Sequence, residues 1–133
     1  WLQEQFPNHT VEVTKTYGGV HIDSTITPLR EGLVALNASR VNQVNCPKVF
    51  DGWGKIWVQD VVAQDFHEYP YASKWVGMNM LSIDENTVVI DAAQTQLIKD
   101  LERVGITSIP LTLRHSRTLG GSFHCVTLDL IRE

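Results

Sequence analysis

The sequence has 133 residues, the length of a single domain. Its 43% hydrophobic and 20% charged residues suffice to bury a core and exclude a disordered or fibrous chain. The 11 Lys and Arg against 15 Asp and Glu give a net charge of -4 without a basic block, which argues against a nucleic-acid partner. No apolar run approaches the ~20 residues that cross a bilayer, so we expect a soluble chain with no membrane partner. Because the chain starts at Trp1 rather than Met, we expect that it was processed or cut from a longer product.

The two cysteines, Cys46 and Cys125, are too few and too far apart for the disulfide framework of a small secreted protein. A reducing compartment, the cytoplasm, is therefore expected, or an organelle if a transit peptide was lost with a missing N-terminus. No CxxC or HxxxH spacing occurs, and in an extended segment His124 and Cys125 would point to opposite faces. We therefore expect no metal site.

Strands dominate the first half of the chain. Residues 20–27 alternate polar and apolar side chains and predict a strand, residues 28–32 a turn, and residues 33–37 the returning strand of a hairpin. Residues 42–54 predict a loop with one helical turn near 48–50, and residues 55–58 predict a short strand.

The second half repeats this order with a stronger helix. Residues 59–71 are polar and aromatic and predict a loop that lines a cavity. Residues 75–83 and 87–91 predict a second hairpin, and residues 92–104 predict a helix that stops at Gly105. Further strands are predicted over residues 106–113 and 123–131. The whole is most simply two ββαβ units with one strand left over.

Cys125 is the first candidate for chemistry. It follows Gly120 and Gly121, a pair that permits a tight turn and close backbone approach, and it would stand near the start of a strand at the rim of a sheet. A thiolate there could act as a nucleophile. The alternative is a cysteine that serves as a small buried hydrophobic residue.

His21 and Asp23 are two residues apart in a predicted strand, so their side chains would leave one face about 7 Å apart. An imidazole carries protons, and a carboxylate accepts two N–H bonds from a planar guanidinium. Together with Cys125 they form a set suited to nucleophilic attack on an electrophilic carbon. The alternative is an exposed polar strand face.

Two weaker candidates are Arg40 and Ser73. Arg40 could bind a substrate carboxylate or lie solvated in its loop. Ser73 could hydrogen-bond a ligand or cap a turn.

Three segments together resemble the amidinotransferases, the family of glycine amidinotransferase and the inosamine-phosphate amidinotransferases. Residues 119–129 (LGGSFHCVTLD) resemble the family's C-terminal nucleophile motif, and residues 21–25 (HIDST) its histidine motif. Residues 72–75 (ASKW) with 78–79 (MN) are similar to its serine-containing loop. The order and spacing agree, and the resemblance covers nearly all of the chain.

The resemblance implies an α/β fold, a portion of a five-module ββαβ α/β-propeller of the pentein type. About two modules would be present, approximately residues 1–62 and 63–133, the second with a closing strand. It also implies a transferase that moves an amidino group from L-arginine to an amine through an amidino-cysteine, without cofactor or metal. The implied partners are these small molecules and either a second copy of the chain or its missing N-terminal part.

Carried over by motif, Cys125 would be the nucleophile and His21 the general acid and then the general base. Asp23 would hold the guanidinium, while Arg40 and Ser73 would bind the amino-acid end of the donor. The chain departs from the family at Ala72, where a serine is frequent, and the aspartate that partners the histidine lies upstream of the chain. A guanidine deiminase of the same superfamily and a non-catalytic fragment remain alternatives.

Overall fold

A computed structural model describes residues 1–14, 17–18, 21–61, 73–112 and 114–131. Within these ranges the chain forms two three-stranded sheets. The helices are α1 (Leu2–Gln5) and α2 (Thr95–Arg103), and short 3₁₀ helices span Ile22–Ser24, Lys48–Phe50, Lys74–Met78 and Ser116–Leu119. The strands are β1 (Ile26–Arg30), β2 (Leu33–Asn37), β3 (Gly54–Val58), β4 (Leu81–Asp84), β5 (Thr87–Asp91) and β6 (Thr107–Leu111).

The two sheets have the same topology. In the first, β1 pairs antiparallel with β2 and β3 pairs parallel with β2. In the second, β4 and β6 pair with β5 in the same way. A parallel partner needs a crossover, which is the 3₁₀ helix Lys48–Phe50 in the first sheet and α2 in the second. Each sheet thus has the ββαβ order that the sequence pattern predicts; the module boundaries at 62 and 63 stay a prediction.

Both faces of β2 are buried, and one of them packs against the second sheet. Leu33 and Ala35 lie in a cluster that also contains Val88 of β5 and Leu101 of α2. The alternate residues of β2 lie in a second cluster with Val41 and Phe50. Because neighbouring residues of a strand point to opposite faces, one strand contributes to both clusters.

The sequence patterns locate most elements but misplace several ends. Residues 22–24 form a 3₁₀ turn rather than strand, because the Ser24 hydroxyl donates to the His21 carbonyl (2.8 Å) and the Thr25 N–H to the Ile22 carbonyl (2.8 Å). Strand β1 continues through Pro28, which is tolerated because β1 is an edge strand.

In the second half, residues 75–78 are 3₁₀ helix rather than strand, since the Ser73 hydroxyl accepts the N–H of Trp75 and starts a helical turn. Helix α2 begins at Thr95 and not at residue 92, because Asp91 accepts the N–H groups of Ala93 and Gln94 in a preceding turn. The predicted loop at residues 59–71 lies mostly outside the described residues.

The strand predicted over residues 123–131 is wrong. Residues 123–126 form a turn and residues 127–131 have no strand partner. The Val126 N–H donates to the Ser122 carbonyl (3.2 Å) and the Thr127 N–H to the His124 carbonyl (3.2 Å), so local bonds replace those of a ladder. Across the described part of the chain, no helix is long and apolar enough to cross a membrane.

Candidate active site

Cys125 is exposed and lies on the turn after the two glycines. Gly120 adopts a left-handed conformation with φ of 85°, which suits glycine. A Cβ built on Gly121 would lie 2.9 Å from the Cys125 Cβ, closer than side chains approach. The predicted strand environment of Cys125 is therefore wrong, but the glycine pair does allow the turn to fold tightly around it.

His21 and Asp23 converge on Cys125, although neither lies on a strand. His21 precedes the 3₁₀ helix Ile22–Ser24, and Asp23 is part of it. One side-chain donor atom from each of the three residues lies within 4.8 Å of the other two. Donor groups this close together are also found around metal ions, although exposed acidic groups are common without one. No short motif in the sequence marks this cluster, because Cys125 lies far along the chain from His21 and Asp23.

The Asp23 carboxylate lies beside the sulfur. The Cys125 thiol is 3.6 Å from Asp23 Oδ2, and Nδ1 of His124 is 3.3 Å from the same oxygen. The turn therefore directs His124 and Cys125 to a common carboxylate, contrary to the opposite faces that an extended segment would give. Asp23 Oδ1 is buried and accepts no hydrogen bond from the described residues.

Asn79 connects the pieces of the site, and the sequence reasoning assigned it no role. Its Oδ1 accepts the N–H groups of Ser122 (3.1 Å) and Cys125 (3.1 Å). Its Nδ2 donates to the Cys125 sulfur (3.2 Å) and to Asp23 Oδ2. The signal available in the sequence was a single asparagine within a run of apolar residues.

Charge and packing make the thiolate unfavourable in this arrangement. The pKa of the Cys125 thiol is raised, first because packing around the sulfur withdraws it from water and next because the Asp23 carboxylate is close. Hydrogen bonds from Ser122 and Asn79 favour the thiolate and oppose this shift. A cation placed near Asp23 would therefore lower the pKa of this thiol.

Arg40 is half-buried and supports the turn that carries Asp23. Its Nη1 donates to the hydroxyls of Ser24 (3.0 Å) and Thr25 (2.8 Å). Ser73, in contrast, is exposed and caps the following 3₁₀ helix, as the turn alternative predicted. Among the described residues, the structure shows no hydrogen bond between either side chain and Cys125.

A buried ion pair anchors the segment before the glycine turn. Arg117 and Asp91 are 1% and 3% exposed and form a salt bridge. Arg117 belongs to the 3₁₀ helix Ser116–Leu119, and Asp91 ends β5. Removal from water lowers the pKa of Arg117. The pair ties the approach to Cys125 to the central strand of the second sheet.

Comparison with known proteins identifies relatives of the chain. No protein-family model matches it. Over 99% of its length it is 46% identical to inosamine-phosphate amidinotransferase 1 from Streptomyces griseus, covering 39% of that protein. It is 34% identical over its full length to L-arginine:L-lysine amidinotransferase from Pseudomonas savastanoi pv. phaseolicola, covering 37% of it.

A solved structure gives the same result. The chain superposes with a TM-score of 0.87 and 28% identity on an amidinotransferase of saxitoxin biosynthesis from Microseira wollei, over 99% of this chain and 38% of that one. These structural neighbours have the pentein propeller fold. The chain is therefore homologous to the amidinotransferases, as its three motifs predict, and spans less than two fifths of the length of the relatives it matches.

Proposed function

We propose that this chain supplies the nucleophile and the guanidinium-binding carboxylate of an enzyme that transfers an amidino group from L-arginine to an amine. The observation that carries the proposal is the convergence of Cys125, Asp23 and His21, whose donor atoms lie within 4.8 Å of one another. The names of the relatives support the reaction class, because they include arginine, lysine and inosamine phosphate.

Asp23 is suited to bind the guanidinium of the donor. Its Oδ1 accepts no hydrogen bond from the described residues, so it has capacity for an N–H donor. A guanidinium placed there would offset the Asp23 charge that raises the pKa of Cys125. Substrate binding would thereby lower that pKa and generate thiolate beside the guanidinium carbon.

Transfer would then take two steps. In the first, the Cys125 thiolate forms a bond to the guanidinium carbon, the bond from that carbon to Nε of arginine breaks, and His21 gives a proton to this nitrogen, which leaves as the δ-amine of ornithine. In the second, the acceptor amine attacks the amidino carbon, His21 removes its proton, and the C–S bond breaks to restore the thiolate. Both half-reactions balance without a cofactor.

Arg40 and Ser73 are proposed to bind the amino-acid end of the donor. The hydroxyls of Ser24 and Thr25 accept from Nη1 of Arg40 and so fix the position of its guanidinium, a group that pairs readily with carboxylates. Ser73 is exposed and therefore accessible to a ligand. Ala72, where the family frequently has serine, lies outside the described residues.

The complete site requires more than this chain. We infer that the aspartate partner of His21 and the remaining modules of a five-module propeller lie in the part of the protein that the relatives have beyond these 133 residues. Residues 1–62 and 63–133 would be two of those modules. The expected partners are the donor, the acceptor and that remaining part or a second copy, in the cytoplasm or an organelle.

The test is an arginine assay on the complete protein that carries this chain. With glycine, lysine or an inosamine phosphate as acceptor, we expect ornithine and an amidinated acceptor in equal amounts. Without acceptor, we expect at most one ornithine per Cys125 in total, because the amidino group stays on the sulfur, and no citrulline. Steady citrulline formation without acceptor would identify a deiminase, and no reaction with arginine would leave the non-catalytic alternative.

A further inference from the structure

We propose that Asn79 orients the Cys125 turn and stabilises the Cys125 thiolate, a role that rests on the amidino transfer proposed above. Asn79 is 2% exposed and its side chain makes four hydrogen bonds within the site. The two N–H groups that donate to Asn79 belong to Ser122 and Cys125, in the segment that carries the nucleophile. The two groups that accept from Asn79 are the Asp23 carboxylate and the Cys125 sulfur, which would flank the reacting carbon.

The orientation of the amide is determined by its neighbours. Backbone N–H groups of Ser122 and Cys125 face one side of the Asn79 amide, and only an oxygen can accept them. The NH₂ group must therefore face the other side, where it meets the sulfur and the Asp23 carboxylate. A rotated amide would lose all four hydrogen bonds.

Asn79 is held in place by both halves of the chain. Its N–H donates to the Val76 carbonyl (3.0 Å) within the 3₁₀ helix Lys74–Met78, and its carbonyl accepts the N–H of His124 (3.4 Å). The preceding carbonyl, of Met78, accepts the Thr27 hydroxyl from β1 (3.3 Å). Asn79 is thus positioned to set the distance between the Asp23 turn and the Cys125 turn.

The hydrogen bond from the Asn79 NH₂ group to the Cys125 sulfur opposes the effect of the Asp23 negative charge. Among the described residues, the charged or titratable groups found beside the thiol are Asp23 and His21 from the first half of the chain and His124 from the turn itself. The Asp23 carboxylate disfavours the thiolate, and a hydrogen bond from the neutral amide favours it without adding a group that titrates. The hydrogen bond from Asn79 thus offsets part of the effect of Asp23, so that a bound cationic substrate has less of it left to overcome.

The test compares the pH dependence of iodoacetamide alkylation of Cys125 in the complete protein that carries this chain, unaltered and with Asn79→Asp. The substitution preserves shape and the Oδ1 acceptor but replaces the NH₂ donor with a second oxygen. A hydrogen bond to a charged group corresponds to about tenfold in an equilibrium constant, so alkylation of Cys125 at pH 8 should be about tenfold slower. The neutral Asn79→Leu variant should also slow the alkylation of Cys125. Because this variant adds no charge, it separates the effect of the lost donor from the effect of the added charge.

Two controls are available in the chain. Cys46 reacts in the same sample, and its rate should not change when the alkylated peptides are quantified separately. Asn86→Asp adds the same charge in the exposed turn between β4 and β5 and should leave the Cys125 profile unaltered. A folded Asn79→Asp variant with an unshifted Cys125 profile would overturn the proposal.

A measurement on the unaltered complete protein covers the case in which both Asn79 variants fail to fold. The amide protons of Ser122 and Cys125 should exchange slowly in NMR, because they donate to a buried oxygen; exchange at unprotected rates would overturn the proposal. Alkylation and amide exchange need no arginine. Absence of amidino transfer with a shifted profile would therefore refute the proposed function alone, and normal transfer with an unshifted profile would refute the role of Asn79 alone.

Discussion

Asp23 Oδ2 and the Cys125 sulfur lie 3.6 Å apart although 101 residues separate them along the chain. Asp23 comes from the 3₁₀ helix before β1, and Cys125 from the turn after the second sheet. The contact places a carboxylate that can hold a cation beside a thiol that can attack it. Most of the chemistry proposed for this chain depends on that pair.

Cys125→Ala should abolish amidino transfer in the complete protein while the chain stays folded. The substitution removes one sulfur from an exposed turn, so little packing is lost. In the unaltered protein, arginine without acceptor should leave an adduct on the Cys125 peptide in mass spectrometry. An adduct on Cys46 instead, or transfer by Cys125→Ala, would show that Cys125 is not the nucleophile.

Asp23→Asn should make the thiol more acidic and the enzyme less active. The Asp23 carboxylate raises the pKa of Cys125, so a neutral amide should lower it and move the alkylation profile to lower pH. Arginine binding should weaken about tenfold or more, because the amide carries no charge to pair with guanidinium. An unchanged KM for arginine would argue against Asp23 as the guanidinium ligand.

Asp51→Asn is the matched control for this variant. Burial raises the pKa of Cys46, the other free cysteine, while nearby Lys55 lowers it and Asp51 raises it by a smaller amount. The control should therefore move the alkylation profile of Cys46 to lower pH and leave that of Cys125 in place. If Asp23→Asn moves only the Cys125 profile and Asp51→Asn moves only the Cys46 profile, then each carboxylate acts on its own neighbouring thiol.

His21→Ala should reduce kcat by about 10²–10⁴-fold, the usual contribution of a general acid and base. The KM for arginine should stay close to its original value, since Asp23 and not His21 is expected to hold the guanidinium. His9→Ala removes an exposed imidazole that is not part of the cluster of His21, Asp23 and Cys125, and it should have no effect. A change in KM alone would assign His21 to binding.

Replacing Arg117 by Leu should destabilise the chain by about 3–5 kcal/mol, because Asp91 would remain charged in a buried position. The free energy of unfolding from urea titration measures the loss. The double variant with Asp91→Leu should be less destabilised than the single variant, since no buried charge remains. Equal loss in both would indicate that packing, not charge, makes the segment stable.

The sequence predicts the elements whose pattern is local. Strands Leu33–Asn37 and Thr87–Asp91 and the helical turn Lys48–Phe50 lie where alternation and turn residues place them. In α2 the predicted apolar stripe does face the core, with Leu97 and Leu101 buried. These elements follow from side-chain periodicity, which short segments of sequence already contain.

Features that depend on distant partners could not be predicted this way. Alternation over residues 20–27 suggested a strand, but the Ser24 hydroxyl bond to the His21 carbonyl favours a turn. The four bonds of Asn79 join it to residues 43 to 56 positions away, so its own neighbours in the sequence carry no sign of them.

The last prediction concerns the 133-residue chain in isolation, which should associate and show no transfer. Leu128, Leu130 and Ile131 are 82%, 85% and 86% exposed, and contiguous apolar side chains of this kind favour association. Strands β1, β3, β4 and β6 are sheet edges within the described part of the chain, and unpaired edges add to this tendency.

His21 would also lack its expected aspartate partner, a loss that reaches about 10⁴ in rate in a comparable His–Asp pair. Sedimentation at several concentrations should show oligomers, and adding the remainder of the protein as a separate chain should restore both a defined complex and transfer. Turnover by the monomeric 133-residue chain would mean that every group needed for transfer lies within it.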